Sequence, residues 1–473
     1  MTSLSVETLA ADAVEPITSA GHAQLGIAVL AGIAVIVLLI TKFKVHAFLA
    51  LTIGSLALGA FAGAPLDKAI TSFTTGLGAT VAGVGVLIAL GAILGKLLAD
   101  SGGADQIVDT ILAKASGRAM PWAMVLIASV IGLPLFFEVG IVLLIPVVLM
   151  VAKRGNYSLM RIGIPALAGL SVMHGLIPPH PGPLVAIDAV GANLGVTLAL
   201  GVLVAIPTVI IAGPLFSKVA ARWVDIPVPE KMLQEGSSDA LDKRPSKDAA
   251  KLPSFGATIA TVLLPVVLML SKALVDIVVD NPEHTVQRVF DVVGSPLIAL
   301  LAAVIVGMFT LGRAAGFSKG KITATVEKSL APIAGILLIV GAGGGFKQTL
   351  IDSGVGQMVL EISEDWAIPA LLLAWLIAVV IRLATGSATV ATVSAAGLVA
   401  PLAADMSTSH AALLVLAIGA GSLFFSHVND AGFWLVKEYF GMNVGQTIKT
   451  WSIMETIISV VAGALVLLLS LII

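Results

Sequence analysis

The chain has 473 residues, of which 58% are hydrophobic and 11% charged, with a mean hydropathy of +1.07. A soluble domain carries about 25% charged residues, so lipid rather than water must face most of this surface. A net charge of -2 gives no footing for nucleic acid, and with no Cys neither a disulfide nor a thiolate metal site can form.

Residues 1–23 hold Glu7, Asp12 and Glu15 and no Lys or Arg. That is the reverse of a signal peptide's basic start, so this tail is expected to be uncleaved and extracytoplasmic. Runs able to cross at about 20 residues each are Gln24–Ile40, Val45–Ala62, Leu77–Ala99 and Gly195–Phe216. They recur at Ser254–Val275, Val292–Gly312, Ala331–Leu350 and Trp451–Ile473. Leu159–Val190 and His410–Tyr439 are apolar but interrupted by Pro, Gly and polar residues, and read as broken helices that still cross. Pro121–Met150 and Ile368–Pro401 are too long for one span and turn near their middles, as re-entrant hairpins do. The expected fold is an all-α polytopic membrane protein with roughly ten crossings and two hairpins.

Short loops rich in Lys and Arg stay in the cytoplasm. An outside N-terminus puts Lys42, Lys44, Lys114, Arg118, Lys153, Arg154 and Arg161 there, with Arg222–Lys251, Arg313, Lys319, Lys321, Lys328 and Lys449. Asp280, Glu283, Glu361, Glu364, Asp365 and Asp405 fall outside, and both termini are extracytoplasmic.

A shift of about 250 residues aligns Asp100-Ser101-Gly102 with Asp352-Ser353-Gly354. After a small slip it aligns Gly182 with Gly432, Gly191 with Gly441, Asn193 with Asn443 and Gly195 with Gly445. Each half crosses an odd number of times, so the halves are expected to be inverted repeats, 24–221 and 254–473, joined by a charged cytoplasmic linker, 222–253. Paired broken helices in inverted repeats place a site at the midplane and support alternating access.

Glu138 and Arg382 stand at the two hairpin tips. Glu138 lies 17 residues beyond Pro121, about 25 Å of helix. Charge at that depth is rarely kept without a partner or a function; the alternative is that both are structural, pairing with each other or with tip backbone. Beside Arg382, Thr385, Gly386, Ser387 and Thr389 offer a kinked tip with hydroxyl donors. In the first broken helix, His174 to Pro183 contains four prolines and cannot stay helical. Its mate, Ser426 to Gly432, aligns Asp430 with His180. Unwound backbone at membrane depth must line a cavity or be buried, and the helix N-termini it exposes favour an anion. Asp430, read as a buried unpaired carboxylate, and His174, His180 and His427 can change protonation there; for His174 and His427 the alternative is bonding to broken backbone. Glu455 and Asp188 read as structural.

At these residues the chain resembles the gluconate permease family of proton-coupled symporters, within the wider ion-transporter superfamily. The runs that carry the resemblance are Gly132–Pro146, His174–Pro183, Thr385–Thr392 and Phe424–Trp434, and the likeness extends from about Gln24 onward. It implies a non-enzymatic secondary transporter of the bacterial inner membrane, elevator-type, homodimeric and lipid-embedded, carrying gluconate or a related sugar acid inward without a cofactor. Another small hydroxylated anion, D-serine, or uncoupled facilitation are the alternatives. Contacts to substrate are implied for Arg382, Thr385, Gly386, Ser387, Thr389, Phe137, His180, Gly182 and Asn429. Proton binding falls to Glu138, Asp430, His180, His174 or His427. Dicarboxylate members of the superfamily carry Ser-Asn-Thr tips and use sodium. The tips here read Phe-Phe-Glu-Val-Gly and Thr-Gly-Ser-Ala-Thr, which favours protons and leaves sodium as the open alternative.

Overall fold

The computed structural model describes residues 16–229, 252–279, 281, 283–355, 358, 368–428 and 430–473, with backbone alone for Thr41, Glu138 and Ile277. The tail as far as residue 15, linker residues 230–251, Asp280, Glu361, Glu364, Asp365, Asn429 and the Glu138 side chain therefore lie outside the described residues. Within them the chain is all helical.

Helices α1 (His22–Thr41), α2 (Ala47–Phe61) and α3 (Leu66–Asp100) lead to α4 (Gly103–Lys114). The first hairpin is α5 (Met120–Gly132) and α6 (Phe137–Gly155). The first broken helix is α7 (Leu159–Leu176) and α8 (Pro181–Val190). Then α9 (Leu194–Ile210) runs through a widened π-type turn into α10 (Phe216–Trp223). After the linker come α11 (Phe255–Val278), α12 (Thr285–Val293), α13 (Pro296–Gly307), α14 (Lys319–Leu330) and α15 (Ala334–Asp352). The second hairpin is α16 (Ala370–Thr385) and α17 (Ala388–Val399), and the second broken helix is α18 (Thr408–Ser422) and α19 (Ala431–Phe440). A short α20 (Val444–Thr447) and a further widened turn of this kind, Ile448–Ser452, precede α21 (Ile453–Leu469).

Eight helical runs are long and apolar enough to cross a bilayer: 22–40, 66–100, 159–190, 194–223, 255–276, 296–313, 319–352 and 444–469. The two other expected crossings correspond to shorter pieces, α2 and α18. The hairpin arms α5, α16 and α17 have 13, 16 and 12 residues, about 18–24 Å of helix, less than the ~30 Å hydrocarbon core. Taken singly, these three arms are too short to cross.

Burial follows the sequence pattern. A helix apolar on every side belongs in a core, and α18 is buried at every position from Ala411 to Ser422, as is nearly all of α7. The outer helices instead present bulky apolar side chains outward, Leu30 on α1 and Val278 on α11 among them at 70% and 72% exposure, as lipid contact requires.

The pairs aligned in the sequence do matching work in the backbone. Gly191 and Gly441 end α8 and α19 at φ 73° and 64°, a conformation open to glycine and costly for other residues. Two residues on, Asn193 and Asn443 cap the next helices, accepting from Val196 N at 3.0 Å and Gln446 N at 2.9 Å. Helices α3 and α15 cross tightly through glycines: a Cβ on Gly344 would sit 2.7 Å from the Gly76 carbonyl oxygen. Near one end of the crossing Ser72 donates to Asp352 at 2.6 Å, and near the other Thr325 stands 3.5 Å from Asp100. Thus α3 runs antiparallel to the α14–α15 stretch.

Candidate functional site

The tip of the second hairpin needs Gly386, whose φ of 75° ends α16 and lets α17 begin two residues later. Ser387 caps α17, its hydroxyl accepting from Val390 N at 3.3 Å. Asp430 caps α19 by accepting from Gly432 N at 2.8 Å. Its counterpart His180 holds the same position before α8. The tip, the break before α19 and the N-terminus of α6 meet at one cleft of about 260 Å³.

Phe137, Ser171, His174, Arg382, Thr385, Gly386, Ser387, Thr389, Asp430 and Trp451 line this cleft, with Gly432 at its edge of α19. Ser171 lies 12 residues into α7 and Arg382 12 residues into α16, about 18 Å of helix in each case. Arg382, 3% exposed, donates to Asp430 Oδ2 at 2.6 Å and to the Gly386 carbonyl oxygen. Its Nε is buried with no hydrogen-bond partner. Asp430 also accepts from the Ser426 hydroxyl, which in turn accepts from Trp451 Nε1 at 2.7 Å. The Phe137 ring sits 5.5 Å from that of Trp451 and 6.1 Å from that of His174.

Three helix N-termini, those of α6, α17 and α19, thus border a cleft that holds a guanidinium. Unbonded first-turn amides and the helix dipole favour negative charge, and a guanidinium adds a planar donor array suited to carboxylate. The hydroxyls of Ser171, Thr385, Ser387 and Thr389 supply neutral donors and acceptors. Such a surface has the chemistry to complement a small hydroxylated anion. Among the described residues no His, Asp and Glu group could hold a metal ion.

Four expectations need correction. Asp430 is not unpaired: hairpin and broken helix bring it onto Arg382. Arg382 bonds Asp430 and the backbone of its own tip at Gly386, the tip-backbone pairing that the structural alternative named. His180 does not line the cleft; its Nε2 bonds the Gly132 carbonyl at 2.7 Å and pins the first hairpin to the break. His427 also stands away, its Nε2 on the Leu383 carbonyl at 3.1 Å. Gly182 packs against Thr392, with room for a Cβ at 3.5 Å from the Thr392 hydroxyl. Ser171 and Trp451 line the site without having been singled out for it, and the buried Glu455, read from the sequence as structural, accepts from Ser171. Ser171 sits in an apolar run and Trp451 at the head of a span, so neither carries a sequence signal.

A family model described as GntP family permease matches residues 25–472. The chain belongs to that family. It is 50% identical to a gluconate permease of Pseudomonas aeruginosa over 92% of this chain and 95% of that one. It is 43% identical to a high-affinity gluconate transporter of Escherichia coli K12, over 93% and 98%. A Gnt-II system L-idonate transporter of the same organism is 40% identical over 92% and 96%. Two solved transporters share the fold at low identity. MtrF of Neisseria gonorrhoeae matches with a TM-score of 0.63 at 15% identity, covering 85% of this chain and 83% of that one. The Alcanivorax borkumensis YdaH transporter matches with 0.56 at 16%, covering 86% and 89%. The protein is a multi-pass membrane permease and not an enzyme.

Proposed function

We propose that this permease carries gluconate, or a sugar acid of the same form, into the bacterial cytoplasm together with protons, by alternating access of the cleft at Arg382. The single observation that carries the reading is the buried guanidinium ringed by hydroxyls and helix N-termini, in a chain 50% identical to a gluconate permease. The substrate carboxylate is held by Arg382 and the α17 and α19 amides, and the polyol by Ser171, Thr385, Ser387 and Thr389.

Alternating access is supported by the architecture, and an inward proton gradient would give it its direction. The matched caps at Gly191 and Gly441, the matched Asn193 and Asn443, and the antiparallel α3 and α14–α15 support inverted repeats at 24–221 and 254–473. Such repeats supply two equivalent arrangements of one site. Hairpins that enter without crossing give the site two short walls able to move with it as an elevator. Ile40 borders the cleft, near Lys42 and Lys44, whose charge assigns that end of α1 to the cytoplasm. This orientation supports reading the cleft as one reached from the inside.

The test is uptake of radiolabelled gluconate by the purified protein in liposomes. An inward proton gradient should drive accumulation above the external concentration, and unlabelled idonate should compete. Equilibration without accumulation would remove the coupling, and no saturable uptake would remove the substrate class.

A further inference from the structure

The proposed cleft needs a proton-binding group, and Asp430 is poorly placed to be it. Its two oxygens already accept from Arg382, Ser426 and the Gly432 amide, so a proton there must displace a donor. Glu455 is placed differently. It is 1% exposed, two residues into α21, and accepts from the Ser171 hydroxyl. Ser171 itself lines the cleft. Among the described residues, no basic side chain forms an ion pair with Glu455; the nearby guanidinium is committed to Asp430.

Arg382 from α16 and Asp430 from the break before α19 act on Glu455 through space. On α7, His174 faces the same cleft. Helix α9 and the widened turn after it, Ile211–Leu215, pack on α21 and carry no titratable residue, and α18 carries only His410, at its far end. Lys449, in the turn preceding α21, is exposed. With Glu455 ionised, the Arg382, Asp430 and Glu455 cluster holds one net negative charge. A sugar-acid anion beside it would raise that to two in a medium where unit charges interact strongly. A proton on Glu455 restores the original balance.

We infer that Glu455 is the proton-binding residue of this permease, exchanging its proton with the cleft through the Ser171 hydroxyl, with one proton taken up per anion bound. The inference rests on the proton-coupled reading above. Hydronium gives a proton to the Ser171 oxygen and is left as water, while the Ser171 O–H bond breaks and its proton forms an O–H bond on Glu455, with no electron transfer.

The experiment compares the wild type with Glu455→Gln and Glu455→Asp in liposomes and by infrared difference spectroscopy on gluconate addition. Wild type should accumulate gluconate on a proton gradient and show gain of a protonated-carboxyl C=O band. Glu455→Gln should lose gradient-driven accumulation and the band, with gluconate counterflow, which needs no net proton movement, persisting at a reduced rate. Glu455→Asp should keep a band at a shifted frequency, which decides the matter even if the glutamine variant does not fold. Gradient-driven accumulation in Glu455→Gln, or an unshifted band in Glu455→Asp, overturns the assignment and leaves the coupled reading standing. Failure of the wild type itself to accumulate overturns the coupled reading, and this inference with it.

Discussion

Arg382 on the second hairpin and Asp430 at the break before α19 form a salt bridge at 2.6 Å, with 4% and 15% of their side chains exposed. The bridge ties two elements 48 residues apart, and it is the only charge pair among the described residues that borders the cleft.

Removing one partner of a buried pair costs ~3–5 kcal/mol because the other charge is left alone. Arg382→Ala should therefore both destabilise the protein and abolish gluconate binding. Arg382→Lys keeps the charge but not the fork that spans Asp430 and the Gly386 carbonyl, so it should fold better than the alanine variant and still bind weakly. Thermal shift with and without gluconate reads both quantities, since a ligand that binds only the folded state raises apparent stability. Undiminished affinity in Arg382→Ala would remove the residue from the site.

His180 is expected to act on position rather than on substrate. Its bond to the Gly132 carbonyl joins the first hairpin to the first break, and a lone buried carbonyl costs ~1–3 kcal/mol. His180→Ala should lower stability by that order and slow transport through the misplaced hairpin. Binding that shifts with pH as in wild type should persist; loss of that shift would make His180 a proton carrier after all.

Much of this arrangement was legible in the sequence wherever backbone chemistry dictates a residue. Gly191 with Gly441, and Asn193 with Asn443, could be matched because left-handed turns select glycine and helix starts select asparagine. The prolines of 174–183 likewise forced a break. Side-chain partnership was another matter. That Arg382 meets Asp430, or Ser171 meets Glu455 across 284 residues, depends on how the helices pack. Neither pair leaves a local pattern. Trp451 lies in the widened turn Ile448–Ser452 with its ring 5.5 Å from that of Phe137, a contact between distant segments that its own neighbours in sequence do not announce.

Trp451 should be separable into ring and donor. Trp451→Phe keeps an aromatic beside Phe137 but loses the 2.7 Å bond to Ser426, worth ~0.5–1.5 kcal/mol net. Because Ser426 also bonds Asp430, the variant should weaken gluconate binding by up to about tenfold. Trp451→Ala, which also opens a void where the ring was, should cost ~3–5 kcal/mol of stability. Equal effects of the two variants would show that the indole N–H does nothing at the site.

The crossing of α3 and α15 should respond to a single methyl. At Gly344 a Cβ would collide with the Thr80 side chain and approach the Gly76 carbonyl at 2.7 Å, whereas at Gly335, on the same helix, it would meet nothing within 4 Å. Overpacking costs ~1–3 kcal/mol, and alanine in an open helical position gains up to about 1 kcal/mol over glycine. Gly344→Ala should lower the melting temperature and Gly335→Ala should hold or raise it. Identical shifts would mean the two helices do not cross at this point.

Asp100 and Asp352, aligned by the repeat, should differ in what they contribute. Each has a partner four residues earlier, Lys96 at 2.7 Å for Asp100 and Gln348 at 2.8 Å for Asp352. Their bonds across the crossing are unequal, with Ser72 at 2.6 Å from Asp352 but Thr325 at 3.5 Å from Asp100. Asp100 is exposed, so its pair with Lys96 is worth ~0–1 kcal/mol and is screened by salt. Asp352 is half-buried and holds two neutral donors at short range, each worth ~1.5–3 kcal/mol to a charged acceptor. Asp352→Asn should therefore destabilise the protein more than Asp100→Asn, and its effect should survive added salt while that of Asp100→Asn fades. Equal and equally salt-sensitive losses would mean that the Ser72 bond does not hold the ends of α3 and α15 together.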